Sequence, residues 1–151
     1  ENKFFFNIYL INDFKNNDSC NENTLLKLMS FNNTKVILNK NLSINNFLDN
    51  DYFLSLSYRE GLSRVLLESI NFGLPIIAYN VPGVGELINK DNGFKFTEKN
   101  FSRMAKEIEK ISNYKNKRIS KRLARIIIKP YSQESVLKEY ISIIHFVKNS
   151  F

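Results

Sequence analysis

The chain has 151 residues, which is enough for one domain with a sizeable core and too few for two ordinary domains. Apolar residues make up 43% of the sequence, a globular value that excludes disorder for most of the chain. No apolar run approaches the roughly 20 residues of a membrane span, and the N-terminus is too short and polar for a signal peptide. Cys20 and His145 are the sole residues of their types, which disfavours disulfides, metal centres and hydrolytic triads and suits a reducing cytoplasm.

The net charge is +7, and much of it lies in the Lys- and Arg-rich segment 115–125. Such a segment is typical of the solvated face of a helix. It would also suit contact with an anionic membrane surface. Nucleic acid is the weaker alternative because no recognised binding motif accompanies the charge, so we expect no nucleic-acid partner.

Short apolar runs alternate with helical patterns in the first half of the chain. In chain order the predicted elements are a strand at 4–11, a helix at 24–31, a strand at 35–38, a helix at 42–48, a strand at 51–57, a helix at 63–72 and a strand at 74–80. Gly73 is a natural stop for the helix before it.

The second half continues with a loop at 81–85, a brief helix, a strand at 92–96 and three helices. In the first of these helices, apolar residues recur at helical spacing between 101 and 111. Strands that are apolar on both faces and alternate with helices predict a parallel sheet covered on both sides. We therefore predict that residues 1–151 form a single Rossmann-like α/β domain.

The turn between the strand at 51–57 and the following helix is the first candidate site. Ligands of such sheets bind at the carboxyl ends of the strands. Gly61 permits a sharp turn and Ser63 is a good N-cap, so free backbone amides at 61–64 would offer an anion site. A diphosphate is the natural occupant, although many α/β proteins share this pattern.

Two acids flank that turn. Glu60 lies on the loop, and Glu68 lies in the helix among apolar neighbours, where an unpaired carboxylate would be costly. Taken singly, Glu60 is explained as an exposed loop acid and Glu68 as the i, i+4 partner of Arg64. Together with the anion site between them, they fit a ligand that has a diphosphate between two polyols. A nucleotide sugar is such a ligand.

Residues 51–96, DYFLSLSYREGLSRVLLESINFGLPIIAYNVPGVGELINKDNGFKF, resemble the donor-site signature of family 4 retaining glycosyltransferases of the GT-B fold. The two glutamates and the Pro-Gly-x-x-Glu loop from Pro82 to Glu86 carry the resemblance. Weaker similarity covers FFFNIYLIND, NTKVILNK and KPYSQESVLKEYISII, the last of which resembles the terminal helix that packs toward the partner domain. Bacterial enzymes that extend lipid-linked oligosaccharides or surface polysaccharides are similar.

The resemblance implies a role for each matching residue. Glu60 would face the donor sugar near the reacting carbon, and Glu68 would hold the ribose hydroxyls. Backbone amides would meet the sugar and diphosphate at Gly61, Leu62 and Ser63.

The same resemblance places further residues around the donor. The adjacent loop would be shaped by Gly83, Val84 and Gly85. Glu86 would stand at a helix start, where an acid that interacts with the helix dipole is the alternative. Asn39 and Lys40 would lie near the nucleobase. Arg59 and Arg64 would add positive charge near the phosphates, or would form surface ion pairs.

The sequence also departs from the family pattern. Leu56 and Ser63 replace prolines, and the segment INDFKNND lacks the glycines expected after the first strand. The family's diphosphate-binding Arg and Lys, its first strand and its N-terminal acceptor domain would precede this chain. We therefore expect the chain to be a donor domain that is inactive alone.

The resemblance implies retaining transfer of a hexose or N-acetylhexosamine from a nucleotide diphosphate sugar to a glycan or lipid-linked acceptor. No metal or other cofactor is expected. A cytoplasmic location, peripheral at the inner face of the membrane, agrees with such acceptors. Two alternatives remain: a non-catalytic nucleotide-binding module, and a basic domain that binds membrane or RNA through residues 115–125.

Overall fold

The computed structural model describes residues 4–10, 22–38, 42–57, 60–97, 100–113 and 118–149. Clustering of the chain separates two compact units, Glu1–Ser43 and Ile44–Phe151, which are described in turn. Both units pair their strands in parallel, with helices between them. The predicted α/β fold class is therefore confirmed.

The first unit is a strand–helix–strand segment. Strand β1 (Phe6–Leu10) runs parallel to β2 (Thr34–Leu38), and helix α1 (Glu22–Met29) lies between them in the chain. Phe6 pairs with Thr34 and Leu10 pairs with Leu38, so the register has no bulge. Both strands were predicted, and the helix begins two residues before its predicted start. The segment INDFKNND lies outside the described residues.

The second unit contains a three-stranded parallel sheet in the order β3-β4-β5. Its elements are α2 (Ile44–Leu48), β3 (Phe53–Ser55), α3 (Arg64–Asn71), β4 (Ile76–Tyr79), β5 (Gly93–Phe96), α4 (Phe101–Asn113), α5 (Lys121–Ile128), a 3-10 helix (Lys129–Tyr131) and α6 (Gln133–Asn149).

Strand β4 forms the centre of this unit because all four of its residues are buried. Successive side chains of a strand point to opposite faces, so Ile76 and Ala78 pack in one cluster and Ile77 and Tyr79 in another. The first cluster contains residues of α3 and α5, and the second contains Met104 of α4. The prediction of a sheet covered by helices on both faces is confirmed here.

Helix α3 presents an apolar stripe to the sheet and ends as predicted at glycine. Leu66 and Ile70, one turn apart, are both fully buried, and burying each side chain contributes about 1.5–3 kcal/mol. Gly73 has a φ of +80°, and its amide bonds to the Ile70 carbonyl while the Leu74 amide bonds to the Ser69 carbonyl. This pair of bonds is a Schellman C-cap, which glycine favours because it has no Cβ.

Three local predictions were wrong. The brief helix predicted after the loop at 81–85 does not form, because the turns that begin at residue 82 continue to residue 87. Residues 118–120 precede α5 instead of belonging to a helical face: Ile119 is buried and Ser120 accepts a capping bond from the Leu123 amide. Within α4, Met104 is buried and Ile108 half-buried as expected, but Ala105 is exposed.

Arg118 departs most from the solvated role expected of the basic segment. Its guanidinium donates to the carbonyls of Leu48, Asn50 and Phe72 at 2.6, 3.0 and 3.1 Å. These carbonyls lie at or just beyond the ends of α2 and α3, where backbone acceptors lack helical partners. Arg118 is thus a structural link between two helix ends.

The C-terminal helix α6 keeps none of its residues buried. Its apolar side chains are more than a third exposed, among them Leu137, Tyr140, Ile143 and Ile144. Among the described residues, no helix combines the length and apolarity that a membrane crossing needs.

Candidate functional site

Most candidate residues of the second unit lie on two loops at one edge of its sheet, and Arg64 and Glu68 lie on the helix that follows the first loop. Strands β3 and β4 are parallel and end at Ser55 and Tyr79, so their carboxyl ends share an edge. The first loop contains Glu60 and leads into α3, and the second contains the turns at 82–87. This is the edge at which open α/β sheets bind ligands.

Gly83 brings the two loops into contact. Its φ is +80°, and a Cβ built on it would lie 2.6 Å from the Gly61 oxygen and 3.2 Å from the Leu62 nitrogen. No side chain fits at that distance, so the backbone of the second loop rests directly on the backbone of the first. The structure therefore brings Gly61, Leu62 and Gly83 together.

The second loop is held by its own backbone. The amides of Val84 and Gly85 both donate to the Val81 carbonyl, at 3.1 and 2.8 Å. Val84 is buried in the core, and Gly85 is buried beside the Asn80 side chain, whose Oδ1 would have to move to admit a Cβ. The loop is thus anchored by Val84.

The N-terminus of α3 follows the first loop. Ser63 occupies the N-cap position with extended backbone angles, and its carbonyl accepts from the Leu67 amide at 3.1 Å. Its side chain makes no capping bond, contrary to the capping role predicted for it. The first amides of a helix have no intrahelical acceptor, so this end of α3 keeps donors for an anion.

The two neighbours of Gly61 in the chain, Glu60 and Leu62, differ in solvent exposure. Glu60 is half-buried, and Leu62 leaves 50% of its surface exposed. A Cβ at Gly61 would meet nothing within 4 Å, so the space beside its Cα is open. The half-buried carboxylate and the open backbone lie next to each other, as a ligand that spans both would require.

Glu68 forms an ion pair with Arg64, which was predicted from the sequence as the alternative to a role in ribose binding. The Arg64 Nε lies 2.9 Å from the Glu68 Oε1, and the two side chains are 90% and 35% exposed. An i, i+4 pair this exposed is worth about 0.3–0.5 kcal/mol. A ligand that offers hydroxyl donors can therefore replace Arg64 at small cost, and the ribose role of Glu68 stays a prediction.

Four candidate residues remain. The predicted position of one of them is wrong, and the other three are not described by the structure. Glu86 is exposed within the turns and does not begin a helix, because the chain makes consecutive turns there. Arg59, Asn39 and Lys40 lie outside the described residues, so their predicted positions stay predictions.

Two residues that the sequence did not single out shape the second loop. The Lys95 ammonium donates to the Gly85 carbonyl at 2.8 Å. Asn92 is 1% exposed, donates to the Leu87 carbonyl at 2.7 Å and accepts from the Asn89 amide at 2.7 Å. An asparagine before a strand glycine is a recognisable turn signal, but nothing local marks Lys95, because its partner is ten residues away.

The described residues contain no group of three or more His, Cys, Asp or Glu side chains placed to hold a metal ion. The pKa of Tyr52, just before β3, is raised by burial and, to a smaller extent, by the charge of Asp51. Tyr52 therefore stays protonated at neutral pH and adds no charge at the amino end of β3.

Residues 15–128 match the protein family described as glycosyl transferases group 1. The match covers well over half of the chain, including both loops and α3. The chain belongs to this family. Its glycosyl transferases group 1 domain is of the GT-B type, which agrees with the parallel strands and helices of both units.

A relative from Haemophilus influenzae (strain ATCC 51907 / DSM 11121 / KW20 / Rd), described as an uncharacterized glycosyltransferase, is 33% identical over 93 residues. The alignment covers 58% of this chain and 26% of that protein. The chain therefore spans about a quarter of the relative's length.

Proposed function

We propose that this glycosyl transferases group 1 domain binds a nucleotide diphosphate sugar at the contact between its two loops. The complete protein would transfer a hexose or N-acetylhexosamine, with retention, to a glycan or lipid-linked acceptor in polysaccharide or oligosaccharide synthesis. An upstream domain would supply the acceptor site. The observation that carries the proposal is the Gly83–Gly61 backbone contact beside the open N-terminus of α3.

Three features around this contact support a diphosphate flanked by two polyols. The amides that begin α3 suit the phosphates. Glu60, half-buried before the turn, suits the donor sugar, and Glu68, one turn into the helix, suits ribose hydroxyls. Carboxylates accept only, and sugar hydroxyls donate to them.

The proposed chemistry follows from where charge develops. As the bond between the sugar and the diphosphate breaks, negative charge grows on the departing phosphate. Helix amides that already point toward this charge stabilise it without reorganising. Glu60 would act at the sugar, near the carbon that is gaining positive charge.

Replacing Glu60 by Gln in the complete protein tests its role. We expect transfer to fall by about 100-fold or more, because the amide keeps the shape but removes the negative charge. The measurement is kcat with nucleotide sugar and acceptor. Glu139→Gln, on the exposed α6, is the matched control. Near-normal turnover of the Glu60→Gln enzyme would exclude the role. Nucleotide binding without any transfer by the complete wild-type protein would favour a non-catalytic module.

A second candidate function rests on α5. Lys121, Arg122 and Arg125 are exposed on this helix, which has no acidic residue, and Lys129 follows it. None of these four side chains forms an ion pair among the residues that the structure describes. Such a face suits an anionic membrane surface, at about 1 kcal/mol per cation.

Vesicle binding tests this second function. We expect the chain to bind phosphatidylserine-containing vesicles in low salt, and Arg122→Ser with Arg125→Ser to weaken that binding at least tenfold. Vesicles of phosphatidylcholine alone are the control surface. Equal binding of both vesicle types would rule out the electrostatic contact, and tighter binding to single-stranded RNA would favour the nucleic-acid alternative.

A further inference from the structure

Lys95 reaches from β5 to the second loop. Its Nζ lies 2.8 Å from the Gly85 oxygen, although the residue is exposed. We infer that Lys95 is a positioning residue, which orients the loop at 82–87 for the donor. This inference rests on the proposed function, since it concerns the loop that meets Gly61.

The backbone bonds of the loop leave one peptide without a fixed orientation. The Val81 carbonyl holds the amides of Val84 and Gly85, and the Leu87 amide donates to the Val84 carbonyl at 3.1 Å, which closes a turn around the peptide that joins Gly85 to Glu86. That closing bond does not fix the direction of the central peptide, because the glycine allows many backbone angles. The bond from Lys95 selects one orientation of that peptide by holding its oxygen.

The orientation has a consequence for ligand binding. A trans peptide is planar, with its carbonyl and its amide pointing in opposite directions. Because the Gly85 oxygen points to Lys95, the Glu86 amide points away from β5. That amide donates no bond to the backbone or side chains that the structure describes. Lys95 thereby presents a free donor on the loop that contacts Gly61.

The bond is not required for the fold. The core of the unit is apolar, and the turn before β5 is closed by Asn92. A hydrogen bond from an exposed lysine adds little to stability compared with these contacts. Loss of the ammonium should therefore change the loop and its ligand affinity more than the melting temperature.

Lys95→Met tests the inference in this chain, with Lys106→Met, an exposed lysine on α4, as the charge-matched control. UDP and GDP are titrated by calorimetry, and the amide resonances of Gly83, Gly85 and Glu86 are followed by NMR. For whichever nucleotide the wild type binds more tightly, we expect Lys95→Met to weaken the binding affinity about fivefold to tenfold. The substitution should also shift the loop resonances and change Tm by about 2 °C or less. Lys95→Arg keeps a donor and should remain within about twofold of wild type.

The outcomes separate this inference from the proposed function. If wild type and Lys106→Met bind a nucleotide equally and Lys95→Met matches them, Lys95 does not position the loop. If Lys106→Met weakens binding as much as Lys95→Met, general charge explains the effect and the inference is overturned. If wild type binds neither nucleotide, the proposed function fails and the inference falls with it.

Discussion

Gly83 is the residue at which the two loops of the site meet, and two independent constraints act on it. Its φ of +80° lies in the left-handed region, which side chains other than glycine disfavour. Its Cα also faces the Gly61 carbonyl so closely that a Cβ would lie 2.6 Å from the oxygen. Either constraint alone selects glycine, and the second ties that selection to the geometry of the site.

Gly83→Ala should therefore destabilise the protein and separate the loops. We expect a loss of about 1–3 kcal/mol, because alanine must adopt the disfavoured φ and push Gly61 away. Urea unfolding measures the loss. Gly61→Ala is the matched control, since Gly61 has no positive φ and open space at its Cβ position, and it should change stability by less than about 1 kcal/mol. Equal effects of the two substitutions would mean that the contact is not tight in solution.

Among the elements of the second unit, α3 supports the site and Arg118 helps to hold its far end. The N-terminus of α3 follows the loop with Glu60, while the Phe72 carbonyl at its other end accepts from Arg118. The same guanidinium donates to the carbonyl of Leu48, the last residue of α2. The planar fork of arginine can serve several acceptors at once, which the single ammonium of lysine does poorly.

Arg118→Ala should lower the free energy of unfolding by about 1–3 kcal/mol, because several backbone carbonyls lose their donor. Arg118→Lys should recover only part of that loss. Thermal or urea unfolding measures both, with Arg122→Ala on the exposed face of α5 as the control. If the two alanine variants unfold alike, the three bonds of Arg118 contribute nothing measurable in solution.

At the scale of the whole molecule, much of the fold can be predicted from the sequence. The fully apolar β4, with helices before and after it, predicted a buried parallel strand, and all four of its residues are buried. Gly73 predicted the end of α3 because a left-handed C-cap favours glycine. Local sequence patterns are sufficient to predict structure where the residues of a single helix or strand determine it.

The structural predictions were wrong where contacts between residues distant in the chain determine the local structure. Arg118 lies in a segment that is typical of a solvated helix, but its acceptors are 46 to 70 residues away in the chain. A brief helix was predicted after the loop at 81–85, but the chain continues in turns to residue 87, and the close approach of Gly83 to Gly61 is not visible in the local sequence. For the site, the sequence identified the two loops and not Lys95, because the lysine acts across strands.

The central claim is that the edge formed by Gly61 and Gly83 binds a nucleoside diphosphate, and NMR titration of this chain with UDP and GDP tests it most directly. We expect saturable shifts in the amides of residues 61–64 and 83–86, with affinity weakened by Glu68→Ala and unchanged by Glu139→Ala, an exposed acid on α6. Shifts that are confined to the basic face of α5, or equal affinity for inorganic phosphate and both nucleotides, would contradict the claim.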